Sequence, residues 1–154
     1  MQKYIVLEHT ADIMIKAYGH SLDEMFVNAA IGMCEQVTEM NEFRVQMFHQ
    51  YSFEIEEKVE DEEYLLREFL SEIKDRLYDR YYPYKIDIHR ANGKLEVLVT
   101  CFQLTERSTF SDEIKAVTYH EMKIKKEAII KIHELIGKPK GPSHVWHTKV
   151  VFDV

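Results

Sequence analysis

Residues 84–101, which read YKIDIHRANGKLEVLVTC, predict two antiparallel strands joined by a tight turn. Apolar side chains alternate with polar ones on both sides of Asn92-Gly93. A two-residue type I′ turn needs a positive φ at both central positions, and an Asn-Gly pair tolerates this backbone at low cost. We therefore expect a β-hairpin here, which favours an antiparallel sheet over a doubly wound parallel one.

Two amphipathic helices precede this hairpin in the chain. Ser21 and Glu24 form a capping-box pattern, and apolar residues then recur at three- and four-residue spacing as far as Val37. Asp61 is the expected N-cap of the second helix, whose apolar positions continue to Leu77.

Alternating segments elsewhere predict further strands. They cover Lys3–His9, Asp12–Tyr18, Phe43–Glu57 as one or two strands, Ile114–Ile124 and Val145–Phe152. Strands in adjacent pairs with only two long helices favour the α+β class. We expect a single domain over residues 1–154, with a mixed but largely antiparallel β-sheet.

A Lys-rich segment stands out near the C-terminus. Residues 123–149 contain seven Lys and two Glu, a local charge of +5, although the whole chain carries −7. Apolar residues at helical spacing over 127–136, followed by Gly and Pro, predict a short helix and a loop inserted at 126–144. A solvated surface is the simpler interpretation of these lysines, and a contact with RNA is left open.

Composition excludes several functional classes. The acidic net charge argues against a dedicated nucleic-acid binder, because such proteins bind phosphates with an excess of Lys and Arg. The chain lacks both an apolar run of about 20 residues and a signal-peptide pattern, so we expect a cytoplasmic protein with no membrane partner. Cys34 and Cys101 lie in apolar-periodic segments and are expected to be buried reduced thiols.

Carboxylates near both ends of the chain are candidate metal ligands. If the last strand lies beside the N-terminal strands, Asp12 can join Asp153 and the terminal carboxylate of Val154 in an all-oxygen site for Ca²⁺ or Mg²⁺. Alternatively, Asp12 caps a turn and Asp153 is an ordinary surface acid, which spacing alone favours. The pair His144 and His147 is more typical of surface histidines than of half a zinc site.

Lys115 is the third candidate site residue. It lies within the predicted strand Ile114–Ile124, where a lysine usually faces solvent. Alternatively, it lies near the carboxylates and offers a positive charge to a phosphate or to an acid of a partner. Periodicity does not choose between these two interpretations.

Three motifs together resemble the archease family: HTAD at 9–12, IKAVTYHEM at 114–122 and VVFDV at 150–154. The helix from Ser21 to Val37, with its Asn-Ala-Ala at 28–30, is similar too. The resemblance implies an α+β protein cofactor of RtcB-type RNA ligases, which act in tRNA splicing and RNA repair. Such a cofactor promotes guanylylation of the ligase's active-site histidine and multiple turnover, and is not itself an enzyme.

The resemblance also assigns roles to individual residues. Asp12, Asp153 and the carboxylate of Val154 correspond to ligands of a divalent cation, most often Ca²⁺, with Mg²⁺ or Mn²⁺ as alternatives. Lys115 corresponds to a position that matters for activation of the partner. The chain departs from the family pattern in the segment 126–144 and in the charged continuation of the second helix at 74–80.

Two other functions remain open from the residues themselves. The protein could be a metal-dependent phosphoesterase or nuclease that uses Asp12 and Asp153 directly, although so few acids rarely form a two-metal site. It could also be a general chaperone-like adaptor to which the Lys-rich segment contributes.

Overall fold

The computed structural model describes residues 2–8, 12–39, 48–57, 60–106, 108–128 and 144–154. The helices are α1 (Leu22–Val37) and α2 (Glu62–Tyr78), and the strands are β1 (Tyr4–Leu7), β2 (Ile13–Gly19), β3 (Thr38–Glu39), β4 (Phe48–Glu56), β5 (Tyr81–Ala91), β6 (Lys94–Gln103), β7 (Thr109–Phe110), β8 (Ala116–Val117), β9 (Lys125–Ala128) and β10 (His144–Asp153). The predicted α+β class is confirmed. Within the described ranges every strand pairing is antiparallel, and the strands form three sheets rather than one.

The largest sheet joins the two ends of the chain. Its order is β1-β2-β10-β8, and β9 also pairs with β10. The central pair runs in register from Trp146 opposite Gly19 to Phe152 opposite Ile13. The last strand therefore lies beside the N-terminal strands, as the metal-site hypothesis requires.

The hairpin forms the core of a second, three-stranded sheet in the order β4-β6-β5. Asn92 has φ 54° and Gly93 has φ 69°, so both central turn positions have the positive φ of a type I′ turn. The strands extend beyond the predicted limits, to Tyr81 on one side and Gln103 on the other. A third sheet consists of β3 and β7 alone within the described ranges.

Both helices begin at the predicted caps. The Ser21 hydroxyl accepts a 3.0 Å hydrogen bond from the Glu24 N–H, and the Asp61 carboxylate accepts one of 3.0 Å from the Tyr64 N–H. Glu24 does not complete a standard capping box, because its carboxylate accepts from the N–H of His20, at 3.2 Å, instead of from Ser21. This bond fixes His20, the first of the two residues between β2 and α1.

The helices and sheets share one hydrophobic core. The largest fully buried side chains come from both helices and from β2, β6 and β10; they are Phe26, Phe69, Phe152, Ile15, Met25, Met33, Leu65, Leu66, Leu70, Ile73, Leu77 and Leu95. Cys34 and Cys101 are buried and unbonded to each other, as predicted. Within the described ranges no helix is long and apolar enough to cross a membrane.

The predicted strand Ile114–Ile124 is wrong as a continuous element. β8 and β9 both pair with β10, but in different registers. If the register of β8 continued, Met122 would be opposite His147; Lys125 is opposite His147 instead, so the chain between β8 and β9 contains three residues more than a continuous strand would. Glu121 has φ 55° in this loop, a conformation that a regular strand does not contain. Alternation of apolar residues therefore reflects two short edge strands with a turn between them.

The segment predicted as a short helix begins as a strand. Glu127 and Ala128 belong to β9 and pair with Val145 and His144. The remainder of that prediction, from residue 129 to 136, and the predicted strand residues 43–47 lie outside the described residues.

Candidate functional site

Sheet register brings the candidate site residues to one end of the five-stranded sheet. Ile13 pairs with Phe152, so the next position along the two strands places Asp12 beside Asp153. Asp153 pairs with Ala116 on its other side, which places Lys115 beside Val154. We call these four residues, Asp12, Lys115, Asp153 and Val154, the carboxylate end.

Lys115 is held at this end by its main chain. Its N–H donates a 2.7 Å hydrogen bond to the carbonyl oxygen of Asp153. Lys115 precedes β8 instead of lying in the middle of a strand, so its expected strand position is wrong. Its side chain is exposed and belongs to the end of the sheet that also carries the carboxylates.

Asp12 and Asp153 lie on the same side of the sheet. Side chains alternate along a strand, so Asp12 shares a face with Met14, and Asp153 shares it with Val151, the partner of Met14. Met14 and Val151 are buried, whereas Asp153 is exposed and Asp12 is half-buried. The two acids therefore stand where the apolar part of this face ends.

An open cavity adjoins Asp12. It has a volume of about 620 Å³, and Glu8 and Gln36 contribute to its lining together with apolar side chains of β1 and β2. Glu8, which the candidate ligand set did not contain, is thus a second acid in the lining of this cavity. The cavity leaves space next to Asp12 for a cation with part of its hydration shell or for a group from a partner.

The candidate donor set consists of oxygens, the ligand type that hard cations prefer. Its oxygens belong to the carboxylates of Asp12 and Asp153 and the carboxylate of Val154, and such oxygens suit Ca²⁺, Mg²⁺ or Mn²⁺. Neighbouring carboxylates repel each other, and a cation between them relieves the repulsion. In the part of the chain that the structure describes, no three His, Cys, Asp or Glu side chains form a metal-binding group, so a third ligand at this end depends on Val154.

The two histidines of β10 lie in different environments. His147 is 7% exposed, and its Nε2 lies 3.0 Å from Glu127 Oε1, which belongs to the neighbouring strand β9. His144 is exposed. The prediction of surface histidines is therefore confirmed for His144 and wrong for His147, which is buried.

A tyrosine from α2 positions the chain before Lys115. The hydroxyl of Tyr78 donates a 2.8 Å hydrogen bond to the Asp112 carbonyl and accepts one of 2.8 Å from the Ile114 N–H. Sequence reasoning missed this role, because Tyr78 lies 36 residues from Ile114 and looks like one more apolar residue of the helix stripe.

Two charged residues of α2 hold the segment after Lys115. Arg67 Nε donates to the Val117 carbonyl at 3.0 Å, and its guanidinium lies 5.0 Å from the centroid of the Tyr119 ring. The Glu63 carboxylate accepts from the Ile124 N–H at 3.0 Å. Glu63 and Arg67 are four residues apart and therefore lie on one face of the helix. This spacing is the only signal in the sequence that marks them as a pair.

Comparison with known proteins assigns the chain to a family. Residues 4–154 match the model of the Archease protein family (MTH1598/TM1083). The chain belongs to the archease family. The protein archease of Pyrococcus abyssi is 34% identical over 132 residues, which cover 82% of this chain and 90% of that relative. The protein archease of Sulfurisphaera tokodaii is 37% identical over 135 residues, covering 80% and 89%.

Solved archease structures share the fold. The solution structure of Methanobacterium thermoautotrophicum protein 1598 has a TM-score of 0.66 and 25% identity, with 100% of each chain covered. A Thermotoga maritima protein, described as an archease and possible chaperone, has a TM-score of 0.57 and 24% identity, covering 96% of this chain and 94% of its own. The resemblance drawn from the three archease motifs is confirmed. Each motif contributes at least one residue to the carboxylate end.

Proposed function

We propose that this archease-family protein activates an RtcB-type RNA ligase in tRNA splicing and RNA repair, without chemistry of its own. The observation that supports it is the sheet register, which gathers Asp12, Asp153, Val154 and Lys115 at one exposed end. In this proposal the carboxylate end enters the ligase's active-site cleft and promotes guanylylation of its histidine by GTP. The ligase supplies the reacting groups, and the archease-family protein supplies position and charge.

The carboxylates of Asp12, Asp153 and Val154 would hold a divalent cation, Ca²⁺ first, with Mg²⁺ and Mn²⁺ as alternatives. When bound, the cation would offset the clustered negative charge and supply a Lewis acid for phosphate oxygens. Lys115 offers a separate positive charge to a nucleotide phosphate or to an acid of the ligase. The hydrogen bond from its main-chain N–H to the Asp153 carbonyl keeps the Lys115 backbone at the carboxylate end.

Single-turnover guanylylation of a cognate ligase tests the proposal. Asp12→Asn and Asp153→Asn keep the side-chain shape but remove one charge each, and we expect both to lower the rate. Asp87→Asn is the matched control, because Asp87 is exposed on β5 in the other sheet. Equal rates for wild type, Asp12→Asn and Asp153→Asn would contradict the carboxylate-end mechanism. A wild-type protein that leaves the ligase unchanged would contradict activation itself.

Thermal unfolding with added cations tests the metal separately from the ligase. A ligand that binds only the folded state stabilises it by about 2.7 kcal/mol at one hundred times its Kd, so Ca²⁺ should raise the Tm of the wild type. Asp12→Asn should abolish this rise. Adding one Gly after Val154 moves the terminal carboxylate and should reduce it. An identical Tm with and without each of the three cations excludes the site.

Two further assays separate the alternatives. Hydrolysis of generic phosphoesters by the purified protein with Mg²⁺ or Mn²⁺, and without ligase, would favour a phosphoesterase or nuclease instead. Protection of unrelated unfolding proteins from aggregation, without any effect on the ligase, would favour a general chaperone-like adaptor.

A further inference from the structure

A groove lined by lysines lies on the same face of the five-stranded sheet as Asp12 and Asp153. Its volume is about 420 Å³, and it is lined by Lys16, Glu121, Met122, Lys123, Lys125, His147, Thr148 and Lys149. We call it the lysine groove. β2, β10, β9 and the loop before β9 all contribute to it, so no local stretch of sequence contains it.

The strand register forces two of these lysines together. Lys16 and Lys149 are directly opposite each other across β2 and β10. Like charges in this arrangement destabilise a sheet, by up to about 1 kcal/mol relative to a neutral pair. The ammonium of Lys16 lies 5.4 Å from the centroid of the Tyr18 ring, which offsets a part of this cost.

Two more lysines come from the sheet edge. The Lys123 N–H donates a 3.2 Å hydrogen bond to Thr148 Oγ1, which holds the loop against β10. Lys125 is opposite His147 in the pairing of β9 with β10. Lys123 and Lys125 are two residues apart, so in extended chain their side chains leave the edge on the same side about 7 Å apart.

No acid within the described residues is paired with these four lysines. Among the described residues, no ion pair joins Lys16, Lys123, Lys125 or Lys149 to a carboxylate, whereas Lys74, Lys85 and Lys94 each have an acidic partner. Glu121 is the single acid in the groove lining. The nearby Glu127 lies against His147 instead, at 3.0 Å. A bound anion would therefore relieve repulsion that the fold leaves in place.

We propose that the lysine groove binds the phosphodiester backbone of single-stranded RNA. Lysines provide point charges that contact phosphates without reading bases, and a row of them suits a repeating anion better than a single carboxylate of a protein partner. Tyr119, two residues before Glu121 in the chain, is 48% exposed, but its ring already lies 5.0 Å from the Arg67 guanidinium, so the proposal rests on the lysines alone. The acidic net charge is no obstacle, because four lysines lie together in this groove.

The groove is close to the carboxylate end along the strands. Asp12 and Lys16 are four residues apart on the same face, about 14 Å in an extended strand, with the buried pair Met14 and Val151 between them. RNA in the groove would thus be held near the end that we propose to enter the ligase. RNA binding goes beyond that proposed function, since guanylylation of a ligase needs no RNA.

Fluorescence anisotropy with a labelled, unstructured single-stranded RNA of about 12 nucleotides tests the inference on the full chain. Each phosphate contact with a single strand contributes about −0.7 to the slope of the logarithm of the binding constant against the logarithm of the salt concentration. Four contacts therefore predict a slope near −2.8, which means about fifty-fold weaker binding at 200 mM than at 50 mM NaCl. The double variant Lys16→Gln/Lys149→Gln should bind at least about ten-fold more weakly, and its slope should be about 1.4 smaller in magnitude. Lys85→Gln/Lys94→Gln removes the same charge from the other sheet and should bind like wild type.

Several outcomes would overturn the inference. The first is an absence of RNA binding at low salt, and the second is an equal loss of RNA affinity in the two double variants. The third is tighter binding of a poly-glutamate peptide than of the RNA, which would assign the groove to an acidic protein segment. The groove variant should also have a higher Tm than wild type at low salt without RNA, because it removes the repulsion between Lys16 and Lys149; a lower Tm would contradict that charge argument. A wild type that binds RNA but does not activate the ligase would refute only the proposed function.

Discussion

Gly19 allows α1 to begin directly against the end of β2. A Cβ at this position would lie 2.2 Å from the backbone nitrogen of Met25, which is far inside van der Waals contact. Asn28 adds a second link, since its side-chain amide donates a 2.7 Å hydrogen bond to the Tyr18 carbonyl. The turn from strand to helix therefore depends on Gly19, which admits the close approach, and on Asn28 of α1, which bonds back to β2.

Gly19→Ala should destabilise the fold by about 1–3 kcal/mol, because backbone has to move to admit the methyl group. Urea unfolding followed by circular dichroism measures this. Gly32→Ala is the comparison: its Cβ would meet side-chain atoms of Tyr4 and Ile15 at 2.8 and 2.9 Å, and side chains adjust more easily than backbone. A Gly19→Ala protein as stable as wild type would show that the close approach is not required.

The hydroxyl of Tyr78 is the residue-scale link between α2 and Lys115. Tyr78→Phe leaves the Ile114 N–H and the Asp112 carbonyl without this partner and should cost about 1–3 kcal/mol. Amide hydrogen exchange should show lost protection at Ile114, and activation of the ligase should fall with it. Tyr84→Phe is the control, because that side chain is 64% exposed. Unchanged exchange at Ile114 in Tyr78→Phe would contradict the positioning role.

At the scale of elements, Arg90 joins the starts of both helices to β5. Its guanidinium donates to Asp23 at 2.8 Å and to both carboxylate oxygens of Glu62 at 2.7 and 3.0 Å. Partial burial lowers the pKa of Arg90, but the hydrogen bonds that it donates to Glu62 and Asp23, together with the negative charge of these two acids, outweigh it and raise that pKa above its ordinary value. Asp23 and Glu62 lie in the first turns of α1 and α2, where a negative charge also suits the helix dipole.

Arg90→Lys should destabilise the protein by about 1–3 kcal/mol, since lysine cannot make the bidentate contact and leaves donors and acceptors of a half-buried network unmatched. A double-mutant cycle with Glu62→Gln isolates the pair, and we expect a coupling energy of about 1 kcal/mol or more. Urea unfolding of the four proteins gives the values. Additive effects of the two substitutions would mean that the contact does not stabilise the fold.

For the whole molecule, the buried thiol of Cys34 reports on global unfolding. Burial, with a smaller contribution from the charge of Glu35, raises the pKa of Cys34 above its usual value near 9. Burial and the hydrogen bond to Glu35 likewise raise the pKa of Tyr4 to about 12. The folded state keeps these protons at alkaline pH, while the unfolded state releases them, so their stabilising effect is complete below about pH 9 and declines as the pH rises.

We therefore expect the free energy of unfolding in urea to be smaller at about pH 10 than at about pH 7.5. Cys34→Ala should reduce the difference between the two pH values. At neutral pH a thiol reagent should modify Cys34 only as fast as the whole chain unfolds. Rapid labelling of the native protein, or a stability that rises with pH over this range, would contradict this placement of the thiol.

Local patterns predicted the elements whose geometry depends on near neighbours. Ser21 and Asp61 cap their helices, and Asn92-Gly93 forms its turn, because each uses a backbone group within three residues. The segment 114–124 was mispredicted because its alternation is interrupted by a turn that is stabilised from outside. Arg67 and Glu63 of α2 bond to its backbone across 50 and 61 residues, and no local pattern records such contacts.

The sequence by itself determined the α+β class, the two helices, the hairpin, the buried cysteines and the resemblance to the archease family. The tertiary structure alone decided which distant residues meet: the pairing of β2 with β10 brings Asp12 beside Asp153 and Lys16 opposite Lys149. The physical reason is the range of the interactions. Propensity, capping and turn geometry act within a few residues, whereas a site shared by distant segments depends on strand register. The register of β2 and β10 is selected by burial, because it keeps the side chains of Ile15, Val150 and Phe152 in the core.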